Sequence, residues 1–174
     1  MKNKLAYRAK RAAQGPIEKN IVFLAKFSII FFSFYALLLA SDLNFFENAI
    51  TGFQASMLNL PKTGNLILTE NANYKITESC TGLLSIIILG STIFSLKKPE
   101  IKIKFKMLLI GSLALVIINL IRVYFVLLAG ITFNPLTAET LHIVSWFVMS
   151  GLILMIWLEM TKKIAKEKDF SKLI

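Results

Sequence analysis

A chain of 174 residues that is 56% hydrophobic carries more apolar side chain than a soluble domain of its size needs, so composition assigns it to the membrane. Its net charge of +10, from 20 Lys and Arg against 10 Asp and Glu, would suggest nucleic acid in a soluble protein. Beside membrane spans the same charges set orientation instead, and no nucleic-acid partner is expected. One cysteine forbids an internal disulfide, and one His with one Cys cannot supply the protein ligands of a usual zinc site, so no metal or cofactor is expected.

In chain order, residues 1–20 form a basic leader with six Lys or Arg and a single Glu. Ile21–Ala40 follows as a first apolar run, long enough to cross a hydrocarbon layer about 30 Å thick. It exceeds a signal-peptide apolar region and ends in "LLLAS", a poor cleavage site, so it is read as an uncleaved span with Lys26 snorkelling near its inner end. An insert over 41–79 comes next. Within it Phe45, Phe46, Ala49, Ile50, Phe53 and Met57 share one helical face, which suits a short amphipathic helix lying in the interface. Pro61 and Gly64 break that helix, and Leu66/Leu68 and Tyr74/Ile76 alternate around "ENAN" as in a β-hairpin. Gly82–Leu96, Met107–Ala129 and Leu141–Leu158 are three further apolar runs; the second span is short and must borrow a turn at either end.

The expected fold is therefore an all-α membrane protein with four transmembrane helices and an outer amphipathic helix and hairpin. Residues 21–159 make one membrane domain between the leader and a basic tail over 160–174. The charges between spans fix direction. The insert 41–79 has two Lys against Asp42, Glu47, Glu70 and Glu78; Lys97–Lys106 has five Lys and one Glu; 130–140 has no basic residue; the tail has five Lys. This alternation is the positive-inside pattern with both termini cytoplasmic in a cell membrane.

Topology converts sequence position into depth. Cys80 stands at the outer mouth of the second span. Arg122 lies seven residues, about 10 Å, below the outer end of the third. His142 opens the fourth from outside. A charge inside the bilayer costs several kcal/mol unless paired or hydrated, which marks Arg122 as functional. Asn119, three residues earlier on the same face, can hydrogen-bond it, or can equally serve as interhelical glue. A thiol, a guanidinium and an imidazole at one depth suit a cysteine nucleophile. The thiolate is favoured by a nearby cation and by a helix N-terminus, which Cys80 is expected to open. On this reading Arg122 steadies the anion, His142 moves the proton, and Asn119, Thr81 and Gly82 bind the substrate or support the site, with Gly82 letting another chain approach the backbone closely. Glu78 and Glu139 lie on the same side and are read as solvating charges. The rival reading is a non-enzymatic transporter subunit or assembly scaffold, with Arg122 and Asn119 lining a polar path.

At these residues the sequence resembles the exosortase/archaeosortase family of prokaryotic membrane enzymes. The resemblance rests on "ESCTGL" at Glu78–Leu83, "NLIR" at Asn119–Arg122, His142 opening the next span, and the preceding "GNLILTENANYKIT". It covers roughly Gly64 to Glu159. It implies a cysteine transpeptidase or peptidase acting on secreted proteins that end in a short motif, an apolar sorting helix and a basic tail. Cys80, Arg122 and His142 would be its catalytic residues, and membrane lipid its surroundings. Better-known members have about twice as many spans, so this chain would be a compact form.

Overall fold

The computed structural model describes residues 2–70 and 72–164, with the side chains of its first helix described from Glu18 onward. The basic tail beyond Ile164 and the side chains of the first seventeen residues of the leader lie outside that range. Helix α1 spans Lys2–Ala40, so leader and first apolar run form one element. Its Phe23, Phe27, Phe31 and Tyr35, spaced four apart and hence on one face, stack ring to ring.

Helix α2, Asn44–Leu58, ends where Asn59 adopts a left-handed conformation at φ 53°. The sequence places an apolar face here, and that face points away from the protein: Phe45, Phe46, Phe53 and Met57 are exposed. The buried side is Thr51, Gln54 and Ala55, with Gln54 Nε2 donating to the Leu120 carbonyl at 2.9 Å. This is the inverse of a soluble amphipathic helix and suits one immersed in the interface.

The expected hairpin is a three-stranded antiparallel sheet, β1 (Lys62–Thr63), β2 (Leu66–Leu68) and β3 (Asn73–Lys75), in the order β1-β2-β3. Ile67 pairs with Tyr74, and the buried members are Ile67 and Ile76. Leu66 and Leu68 therefore face opposite to Tyr74 and Ile76, because side chains alternate and the register pairs Tyr74 with Ile67.

A 3-10 turn at Glu78–Cys80 leads into helix α3, Leu83–Ser95. Helix α4 runs over Ile101–Thr132 and helix α5 over Pro135–Lys163. Helix α5 starts with Asn134 as cap, its Oδ1 accepting from the Thr137 amide at 2.9 Å, and with Pro135 in the first turn.

Among the described residues three helices are long and apolar enough to cross a membrane: α1 from Glu18, α4 and α5. The fourth expected span, α3, is not among them by length. Its 13 residues reach about 20 Å, and it cannot borrow turns because Gly82 is left-handed on one side and Leu96 extended on the other. Helix α3 packs inside the bundle, against α1, α4 and α5. Lys104, itself buried, donates its Nζ to the Leu96 carbonyl and so closes the C-terminal end of α3.

Two apolar cores result. One joins α3, α4 and α5 through Leu89, Ile93, Met107, Leu115, Met149, Ile153 and Met160. The other joins α2, the sheet and the second half of α4 through Ala55, Ile67, Ile76, Val123 and Leu127, and it includes Cys80.

Candidate active site

The turn that carries Cys80 is built by local hydrogen bonds. The Cys80 amide donates to the Thr77 carbonyl at 2.8 Å and the Thr81 amide to the Glu78 carbonyl at 3.1 Å. The Thr81 hydroxyl donates back to the Glu78 carbonyl at 2.7 Å and accepts from the Leu83 amide at 3.3 Å. Cys80 thus precedes α3 by three residues and its own N–H is occupied. It does not open a helix with free amides, contrary to the sequence expectation, because the chain tightens into a 3-10 turn before Gly82 redirects it.

Gly82 has φ 77°, a conformation costly for any residue with a Cβ. A Cβ there would also stand 3.0 Å from the Asn119 side chain. That contact presses the turn onto α4, where Asn119 is 1% exposed. Asn119 Nδ2 donates to the Cys80 carbonyl at 2.7 Å, satisfying a peptide group that the turn leaves outside any helix ladder. Non-helical backbone inside a membrane bundle needs such protein partners. Asn119 Oδ1 in turn accepts from Arg122 Nη1 at 3.1 Å.

Arg122 is 9% exposed. Its Nη2 lies 3.3 Å from His142 Nδ1, and its guanidinium sits 5.4 Å from the centre of the Trp146 ring. Trp146 Nε1 donates to His142 Nε2 at 3.3 Å, with the two rings edge-to-face. Both imidazole nitrogens therefore face groups that only donate. A neutral imidazole offers one lone pair, so it satisfies one of these neighbours and leaves the other contact weak. The ring is held in place without being locked.

A cavity of about 270 Å³ opens beside the thiol. Tyr74 to Thr77, Ser79 and Cys80 form one wall, Val123, Val126 and Leu127 the floor, and Pro135, Ala138, Glu139 and His142 the other wall. Arg122 lines a separate apolar groove of about 290 Å³ between α4 and α5, with Phe125, Leu141, Val144 and Val148. Its Nε is buried and donates to nothing among the described residues. The guanidinium thus lines the apolar groove and meets the cavity beside Cys80 through its contact with His142.

Of the residues singled out in sequence, Cys80, Asn119, Arg122 and His142 meet in one chain of contacts, and Thr81 and Gly82 shape the turn. Glu78 is exposed, while Glu139 reaches the cavity rim; neither hydrogen-bonds His142. The depth expected for Arg122 changes, because α4 continues to Thr132: ten residues, about 15 Å, separate Arg122 from that end. Trp146 escaped the sequence reading, although its place four residues after His142 puts the two on one helical face. Among the described residues no group of His, Cys, Asp and Glu is arranged to hold a metal ion.

The model of the family described as transmembrane exosortase matches residues 19–158, which takes in every contact just described. No curated protein and no solved structure gives a significant match.

Proposed function

The chain belongs to the transmembrane exosortase family, and from that premise we propose that it is a cysteine transpeptidase or peptidase that cuts the C-terminal sorting signal from secreted proteins. In this reading α3 carries the chain from the level of Asn119 back to that of Lys104, so both termini are cytoplasmic and the cavity is extracytoplasmic. The substrate is a secreted protein held in the membrane by an apolar helix with a basic tail. The scissile bond, just before that helix, enters the cavity beside Cys80.

His142 turns out of its weaker contact and takes the Cys80 proton, and the sulfur attacks the peptide carbonyl carbon. Arg122 stabilises the negative charge that develops on sulfur and then on the carbonyl oxygen. The C–N bond breaks, the departing amine takes the proton from His142, and a thioester remains on Cys80. An amine acceptor or water then attacks the thioester carbon. Its proton returns through His142 to the sulfur, and the thiol is restored. Asn119 touches no reacting atom: it holds the Cys80 carbonyl and Arg122 at once, which makes it a positioning residue.

One observation carries this reading: the unbroken contact chain from the Cys80 carbonyl through Asn119 and Arg122 to His142, joining three separate elements. A packing cysteine would call for the Asn119 bond to its carbonyl, but not for the guanidinium and imidazole that follow it. The test reconstitutes the full chain with a secreted reporter protein ending in a sorting motif, an apolar helix and a basic tail. Cys80→Ala and Cys80→Ser are expected to abolish cleavage of the reporter. Undiminished cleavage by Cys80→Ala would end the nucleophile assignment.

A further inference from the structure

The sheet leads straight into the site, and its hydrogen-bond parity shows what its edge can do. The Ile76 amide donates to the Asn65 carbonyl at 2.9 Å, and these two residues are opposite in the register that pairs Leu66 with Lys75. In an antiparallel ladder such bonded pairs recur every second residue. Tyr74 and Ile76 therefore turn their peptide groups toward β2, while Lys75 and Thr77 turn theirs outward. The same parity holds on the far side, where the Leu68 amide donates to the Pro61 carbonyl at 2.9 Å.

Strand β3 is an edge of the sheet, and among the described residues the Lys75 and Thr77 amides donate to no acceptor. This edge is not left to solvent at large. It forms a wall of the cavity that holds Cys80, with Ala138 and Glu139 of α5 opposite. Tyr74 reaches from the sheet to α4, where its hydroxyl would lie 2.5 Å from a Cβ at Gly130, so a side chain there would displace it.

We infer that the outward edge of β3 takes up the extended segment of the substrate as a fourth strand and delivers its scissile bond to Cys80. The inference rests on the catalytic reading above and names how the substrate is held. An extended peptide adds main-chain hydrogen bonds to an exposed edge whatever its side chains, and alternate side chains supply selectivity. The pairing is parallel. β3 runs toward Cys80, and a secreted protein tethered by a C-terminal helix also runs from outside toward the membrane. Lys75 and Glu139 at the rim present opposite charges to whatever enters.

The experiment uses the same membranes and the same reporter. Lys75→Pro deletes an outward amide that no strand uses, and proline is tolerated at such edge positions. Its KM is expected to rise about tenfold with kcat within about twofold, the scale of one or two lost hydrogen bonds. Lys75→Ala, which keeps the amide and removes only the rim charge, is expected to raise KM about twofold, well short of Lys75→Pro. Semisynthetic reporters N-methylated one residue at a time upstream of the cleaved bond are expected to lose affinity at alternate positions only. This second arm holds even if Lys75→Pro fails to fold, because it leaves the enzyme untouched. Equal effects of Lys75→Pro and Lys75→Ala, or N-methyl effects without a period of two, would overturn the strand proposal while leaving Cys80 as nucleophile. Full cleavage by Cys80→Ala would refute the catalytic reading and this inference with it.

Discussion

Asn119→Ala perturbs the site at the point where its two halves are joined. The side chain is 1% exposed and makes a 2.7 Å bond to the Cys80 carbonyl and a 3.1 Å bond from Arg122. Interhelical hydrogen bonds in membrane proteins contribute about 0.6 kcal/mol on average. A bond to a charged group contributes about 1.5–3 kcal/mol. Together they put the loss at no less than about 2 kcal/mol. If that loss falls on transition-state binding, kcat/KM drops roughly 30-fold. The assay pairs kcat/KM on the sorting-signal reporter with the rate at which iodoacetamide alkylates Cys80 at one pH. Both are expected to fall. Asn119→Asp separates the two bonds, since it keeps an oxygen for Arg122 but loses the donor to the Cys80 carbonyl. It is expected to be less impaired than Asn119→Ala, because the bond from Arg122 carries the larger share of the loss. Wild-type turnover and alkylation in Asn119→Ala would refute the reasoning, because the contact chain would then be irrelevant to the thiol.

Arg122→Lys keeps the charge but loses the planar fork that reaches Asn119 and His142 together; turnover is expected to fall about 100-fold, and wild-type kcat/KM would reduce Arg122 to a packing role. Gly82→Ala forces a Cβ into a left-handed conformation and against Asn119, so it is expected to destabilise by about 1–3 kcal/mol and slow cleavage, as read by thermal unfolding and turnover. Ile67→Ala leaves a cavity under the sheet at a side chain with no exposure and is expected to cost about 2–5 kcal/mol, with KM rising as the sheet loosens; unchanged stability would mean that the sheet is not anchored through Ile67.

Much of this was legible in the sequence because it is local. Long apolar runs announce α1, α4 and α5, and the three-residue spacing of Asn119 and Arg122 announces their bond. The insert was readable as helix then strands from Pro61, Gly64 and the alternation after them. What failed depended on neighbours distant in sequence. Apolar composition marks α3 as a span, but its length is decided by the 3-10 turn and by Gly82 docking on Asn119. The outward turn of Phe45, Phe46, Phe53 and Met57 leaves Gln54 to reach the Leu120 carbonyl, a partner 66 residues away. The strand register buries Ile67 rather than Leu66 or Leu68, a one-residue difference that alternation in two apolar strands does not decide. Trp146 was visible as a neighbour of His142, yet an aromatic residue in an apolar span carries no signal of its own until its indole N–H finds a partner.

The decisive measurement is mass spectrometry of the full-length protein after it is mixed with the sorting-signal reporter and quenched in acid within one turnover. A peptide containing Cys80 that carries the reporter, joined as a thioester through the carbonyl of the cleaved bond and released by hydroxylamine, is the expected result. Reporter cleaved at its normal rate with Cys80 unmodified at every time point would contradict it.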